Sequence, residues 1–308
     1  DCPPIEVECR NLAEVEEALK PSRHRRLQLE LQLAEKKEAF REARENLIID
    51  VFSQYMQVLE LEEELLIREK TAELQQKKVE VTESRYEAGQ AAETKLVGAE
   101  TDYEEALSVQ RKTEFELEQL KSNFADTVNL PEDESFNPAP LQEPEKLEID
   151  REEAVKAVVE ASFTRRASEK RVQLAELNLS RAEAGSVPEQ EVKKLKNELE
   201  KAEIEAEKTR REVESDARDL YYRFSEAAED LRRYRKELDL KEKNYQIVEE
   251  QRETGMKTEL DVLTAEIELL EAEKEYNRAI TGYYTAEMEL KQKMGQDLGG
   301  EYDAQIKN

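Results

Sequence analysis

Tryptophan is absent from this chain of 308 residues; glycine and proline are held to eight each, cysteine to two and histidine to one. A single histidine excludes His-based catalytic triads, HExxH zinc sites and multi-histidine metal centres as classes. The glycines are scattered and form neither GxGxxG nor a GxxxxGK loop, so no phosphate cradle is expected either. No enzyme, cofactor or metal site is therefore expected. Long apolar runs are also missing: the best, Leu47-Ile48-Ile49-Asp50-Val51-Phe52, is short and interrupted by a carboxylate, where a membrane-spanning helix needs ~20 apolar residues. The first ten residues lack the basic start and apolar centre of a signal peptide.

What is abundant is charge. Charged residues make up 40% of the chain, alongside plentiful Ala, Glu, Lys, Leu and Arg, which is the composition of long helices. Apolar residues must then be confined to narrow stripes where helices meet. With 75 acidic against 48 basic side chains, the net charge of −27 disfavours nucleic acid and anionic lipid headgroups as partners. The one compact basic cluster, Arg23, His24, Arg25 and Arg26, reads as a solvated helix start. Paired carboxylates read as surface charge. Cys2 and Cys9 lie in a proline-containing segment; a small disulfide-closed loop in an oxidising compartment and two free thiols both fit.

A pattern recurs. Arg85-Tyr86-Glu87-Ala88-Gly89 precedes Glu93, Leu96, Val97, Ala99 and Glu100, and Arg252-Glu253-Thr254-Gly255 precedes Glu259, Val262, Leu263, Ala265 and Glu266. The glycines are 166 positions apart, and the same offset pairs Leu33 with Leu199, Asp50 with Asp216, Tyr55 with Tyr221 and Leu65 with Leu231. One helical unit is written twice. In each copy a long helix, from Ser22 to about Glu87 and from Glu189 to about Glu253, carries a stripe with steps of four and three. At ~1.5 Å per residue such helices run on the order of 100 Å. A glycine turn then leads into a second, antiparallel helix with the same rhythm. Leu27 to Leu33 alternates as a strand would, but its counterpart at Lys193 to Leu199 does not, so helix is expected for both.

The predicted organisation is a first repeat over residues 1–126, a proline-rich acidic linker over 127–149, a second repeat over 150–296 and a tail over 297–308. A third helix, from about Asp150 to Ala184, opens the second repeat and ends at Gly185-Ser186-Val187-Pro188; the first repeat keeps only a stump, Leu12 to Leu19, before Pro21. The fold class is all-α, long coiled-coil-like antiparallel hairpins in two tandem repeats.

These features together resemble the TolC family of outer-membrane efflux proteins, whose two repeats each end in a long helix, a turn of the type Arg-Tyr-x-x-Gly and a helix beginning like Leu-Asp-Val-Leu-x-Ala-Glu. Arg85, Tyr86 and Gly89 carry the turn in the first half; in the second, Leu260-Asp261-Val262-Leu263-Thr264-Ala265-Glu266 follows Gly255. The resemblance covers roughly Leu27 to Gln296. It implies a trimer in which helices from three chains wall a conduit, a periplasmic-type adaptor and an inner-membrane transporter as partners, and an extracytoplasmic location after cleavage of a signal peptide not seen here. The family's membrane β-hairpins would be inserted near Lys20–Ser22 and Gly185–Pro188, where only a few residues stand against the ~9–11 a membrane strand needs. An α-barrel protomer without the β-barrel is thus expected. By the same resemblance, Arg85, Tyr86, Gly89, Glu93, Arg252, Gly255, Glu259 and Asp261 would form the entrance tips where an adaptor docks. The competing function is a soluble helical scaffold or spacer derived from the same repeat. The transported substrate is not legible in the sequence.

Overall fold

The computed structural model describes residues 12–130, 138–139, 142–145 and 147–298, with side chains from residue 23 onward. Cys2 and Cys9 lie outside the described residues. Six helices follow one another: α1 Leu12–Glu87, α2 Glu93–Thr127, α3 Arg151–Ala161, α4 Phe163–Ala184, α5 Glu189–Glu253 and α6 Glu259–Lys293. Among the described residues there is no β-strand, and no helix is long and apolar enough to cross a membrane.

The duplication reappears in the backbone. α1 and α5 end at Glu87 and Glu253, and α2 and α6 are both 35 residues long, all at the offset of 166. The helix ends repeat too. Val128 and Leu130 donate to Phe124 and Ala125 carbonyls, and Met294 and Gln296 donate to Leu290 and Lys291, bond for bond. The residue between them is left-handed in both copies, Asn129 at φ 53° and Gly295 at φ 78°. Asn is among the few side chains that tolerate this region.

Two expectations about helix ends are corrected. Pro21 does not separate a stump from the long helix, because α1 runs through it without a break. Proline removes one backbone donor there, and the ladder of bonds on either side carries the helix past it. The predicted Asp150–Ala184 helix is instead two helices, broken at Ser162, which leaves helical geometry with φ −58° and ψ 116°. The Ser162 hydroxyl accepts from the Arg165 amide at 3.3 Å and so caps α4. The guanidinium groups of Arg165 and Arg166 donate to the Val159 and Ala161 carbonyls at 2.9 and 3.1 Å, which α3 leaves open at its C-terminus.

The chain packs as two compact units, each drawing on both repeats. One gathers the described residues of Asp1–Asn46, Glu148–Tyr222 and Glu289–Leu298. Within it Ala154, Val158, Ala167, Ala182, Ala217 and Leu290 are buried, Arg171 meets Glu35 at 3.4 Å, and Arg41 donates to the Gln292 carbonyl at 3.4 Å. The small side chains let α3, α4, α5 and the end of α6 approach closely. Gly295 shares this closeness: a Cβ on it would lie 3.1 Å from that of Ala161.

The other unit gathers the described residues of Leu47–Leu147 and Arg223–Met288. Here the number of seams on each helix sets its place. α1 meets α2 through Val58, Leu117 and Phe124, with Val51, Tyr55, Leu61, Leu65 and Leu120 packed around them. It meets α6 through a second stripe containing Phe52, Met56, Ile67 and Leu74. α6 in turn meets α5, where the rings of Phe224 and Tyr283 lie 5.4 Å apart and Lys241 pairs with Glu268 at 2.8 Å. The helices therefore stand in the order α2, α1, α6, α5. The inner two bury both sides, and the outer two leave Val97 and Phe115 on α2, and Leu240 and Ile247 on α5, more than half exposed.

The proline-rich segment is pinned to this unit by tyrosines. Tyr55 donates to the Ala139 carbonyl at 2.8 Å, Tyr284 to that of Gln142 at 3.3 Å, and the Tyr283 oxygen accepts from the Leu147 amide at 2.8 Å. These contacts satisfy backbone groups that an extended segment cannot satisfy for itself.

Candidate functional site

The two glycine turns lie in the same unit and are built alike. Gly89 donates to the Tyr86 carbonyl at 2.8 Å and Gln90 to that of Arg85 at 2.7 Å; Gly255 donates to Arg252 at 2.9 Å and Met256 to Gln251 at 2.8 Å. This is a helix end closed by a left-handed residue, with φ of 71° at Gly89 and 73° at Gly255. Space is not the constraint, since nothing lies within 4 Å of a Cβ at either position. Backbone conformation alone requires the glycine.

The charged residues of the turns have structural roles that explain their spacing. Arg85 and Arg252 occupy the last turns of α1 and α5, and Glu93, Glu259 and Asp261 the first turns of α2 and α6, each on the favourable end of a helix dipole. Asp261 also closes a capping box: its carboxylate accepts from the Thr258 amide at 2.8 Å, while the Thr258 hydroxyl accepts from the Asp261 amide at 3.2 Å. That backbone bond, then the Thr258 hydroxyl, holds the Asp261 carboxyl below the usual aspartate range. The first turn lacks this device, because Ala92 stands at the N-cap with no side-chain bond. Tyr86, beside the Gly89 turn, is 41% exposed.

Contacts between α1 and α6 fix how the turns relate. Lys77 reaches Glu259 at 3.8 Å, Lys70 reaches Glu266 at 2.9 Å, Lys274 reaches Glu64 at 2.7 Å, and the rings of Phe52 and Tyr284 are 6.1 Å apart. This antiparallel register sets Gly255 level with about residue 82 of α1. At ~1.5 Å per residue, the Gly89 turn then projects about 10 Å further. All eight predicted tip residues are thus at one end of the unit, on two staggered, solvated turns. Among the described residues no group of three or more His, Cys, Asp or Glu is placed to hold a metal ion.

Sequence reasoning missed the α1–α6 seam. Positions 52, 56, 59, 63, 67, 70, 74 and 77 step by threes and fours, but Glu63, Lys70 and Lys77 interrupt the apolar pattern. The signal was a second heptad stripe on α1, hidden by its own charged members.

Comparison with known proteins follows the same lines. Residues 189–296 match the family model described as outer membrane efflux protein. No curated protein matches the sequence. Among solved structures, the outer membrane protein VceC of Vibrio cholerae aligns over 90% of this chain and 76% of its own, with a TM-score of 0.59 at 16% identity. CusC aligns over 91% of this chain and 75% of its own, with a TM-score of 0.62 at 15% identity. The CmeC outer membrane channel of Campylobacter jejuni aligns over 94% and 71%, at 0.52 and 12%. Identities this low establish the shared fold alone, and the family model covers the second repeat from α5 to the end of α6. Residues 189–296 thus match the outer membrane efflux protein family, and the chain as a whole shares the helical fold of the TolC-like channels, with no β-strand among its described residues.

Proposed function

We propose that the chain is a protomer of an efflux conduit, assembling as a homotrimer whose helices form the conduit wall outside the cytoplasm. The observation that carries this reading is the order α2, α1, α6, α5 in the second unit. Helices set side by side with apolar residues left on the two outer members, Val97 and Phe115 at one edge and Leu240 and Ile247 at the other, call for a neighbouring copy at each edge. A head-to-tail contact between unlike edges generates a ring when the rotation closes.

The solvated turns at Gly89 and Gly255 would be the entrance, with Arg85, Tyr86, Glu93, Arg252, Glu259 and Asp261 offered to an adaptor that leads to an inner-membrane transporter. Their carboxylates would favour cations at the mouth. Residues 1–126 and 150–296 would be units of duplication, with the linker strapped across the helices of the second unit by Tyr55, Tyr283 and Tyr284. The test is the mass of the assembly in solution. Multi-angle light scattering at high concentration, alone and with an adaptor's helical hairpin, should give three copies. A monomer under both conditions would favour the scaffold reading instead.

A further inference from the structure

Two lysine–glutamate rungs tie α1 to α6 one heptad apart: Lys77 with Glu259, and Lys70 with Glu266. Stepping seven residues further along both helices reaches Glu63 and Glu273. The third rung thus replaces lysine by glutamate and sets two carboxyl groups at facing seam positions. The cations nearby are engaged elsewhere, Lys274 with Glu64 at 2.7 Å and Arg278 with Glu60 at 4.0 Å. Glu63 instead accepts from the Asn277 side-chain amide at 2.5 Å, a neutral donor.

We propose that this rung is a proton-operated latch, which binds α1 to α6 tightly when one carboxyl of the pair carries a proton and loosens when both are ionised. Like charges at facing seam positions repel, and the protein interior screens them less than water does. The groups facing Glu63 are Glu273, Lys274, Asn277 and Arg278 on α6, and Glu60 and Glu64 on its own helix. On its far side α2 contributes Lys121, held by Glu62 at 2.5 Å, and α5 contributes Glu242, which acts on Glu273.

Burial, then the like charges of Glu60 and Glu273, raises the Glu63 carboxyl to about 7, against the lowering effect of the Asn277 bond and of Lys274. Burial and Glu242 raise Glu273 as well. A carboxyl raised on folding contributes stability that is fully present below its unfolded value and is lost as pH rises through its folded value. The latch therefore works between about pH 4.5 and 7. It does not depend on the conduit reading.

The experiment is thermal unfolding of the full chain at a series of pH values from 5 to 8.5, comparing the protein with Glu63→Gln and Glu273→Gln. The unaltered protein should lose melting temperature as pH rises through this window, and Glu63→Gln should lose less than half as much. Glu273→Gln, which removes the facing charge but leaves Glu63 to titrate, should move the midpoint of the loss to lower pH without abolishing it; a midpoint moved to higher pH would count against the pairing. If Glu63→Gln fails to fold, Glu63→Lys, which completes the ladder opposite Glu273, serves in its place and should flatten the profile. Equal pH dependence in the unaltered protein and the folded Glu63 variant would overturn the proposal.

Discussion

Replacing glycines by alanine one at a time separates backbone conformation from space, because the structure assigns different circumstances to each. Gly98 and Gly282 sit inside α2 and α6 with no atom within 4 Å of an added Cβ. Alanine there removes the helix penalty of glycine and should stabilise by about 0.5–1 kcal/mol. Gly89 and Gly255 also have open space, but their positive φ makes an L-residue strained by roughly 1–2 kcal/mol, so alanine should destabilise. Gly295 combines positive φ with a Cβ 3.1 Å from that of Ala161. Crowding of a packed contact adds roughly 1–3 kcal/mol, which makes Gly295→Ala the most damaging of the five. In units of this size about 1 kcal/mol moves a melting temperature by roughly 2–4 °C. Thermal melts followed by circular dichroism should therefore rank the variants in three classes: Gly98 and Gly282 above the parent, Gly89 and Gly255 below it, Gly295 lowest. A Gly295→Ala variant as stable as Gly98→Ala would refute the assignment of conformation and contact, and with it the equivalence of the two helix ends at Asn129 and Gly295.

Thr258→Ala should cost about 1 kcal/mol by removing the N-cap of α6, whereas Ala92→Ser, which installs a cap on α2, should add a comparable amount; denaturant melts of both variants measure it. Tyr283→Phe leaves the Leu147 amide without its acceptor and should cost about 1–3 kcal/mol, with faster proteolysis of the proline-rich segment as the local readout. Lys274→Met should lower stability near neutral pH and flatten its fall in acid: Glu64, pushed up by burial but carried lower on balance by its bonds to Lys274 and Arg68, gives stability present above its unfolded value and lost as pH falls through its folded one. Melts between pH 3 and 5 should show a shallower acid loss in the variant.

Much of this architecture was legible because it rests on local backbone rules. A glycine that must be left-handed, flanked by Arg on one side and Glu on the other, announces a helix turn, and repeating it at a fixed offset announces a duplication. The alternating Leu27–Leu33 segment is helical, as its non-alternating counterpart implies. The errors came where one local rule competed with another. Pro21 is a helix breaker by propensity, yet the helix continues through it, while Ser162, unremarkable in sequence, ends a helix because Arg165 and Arg166 can satisfy the carbonyls it exposes. Glu63 was invisible among many glutamates, since only the second seam of α1 distinguishes a carboxylate between helices from one in water. Asn129 takes the left-handed conformation that glycine takes at position 295, and asparagine marks such a position less sharply than glycine does.

The most direct measurement of the central claim is electron microscopy of the purified assembly viewed down its axis. The account predicts a three-fold ring of helices around an open lumen, with the α2 edge of one copy against the α5 edge of the next. A solid bundle, or a single copy with both edges in solvent, would contradict it.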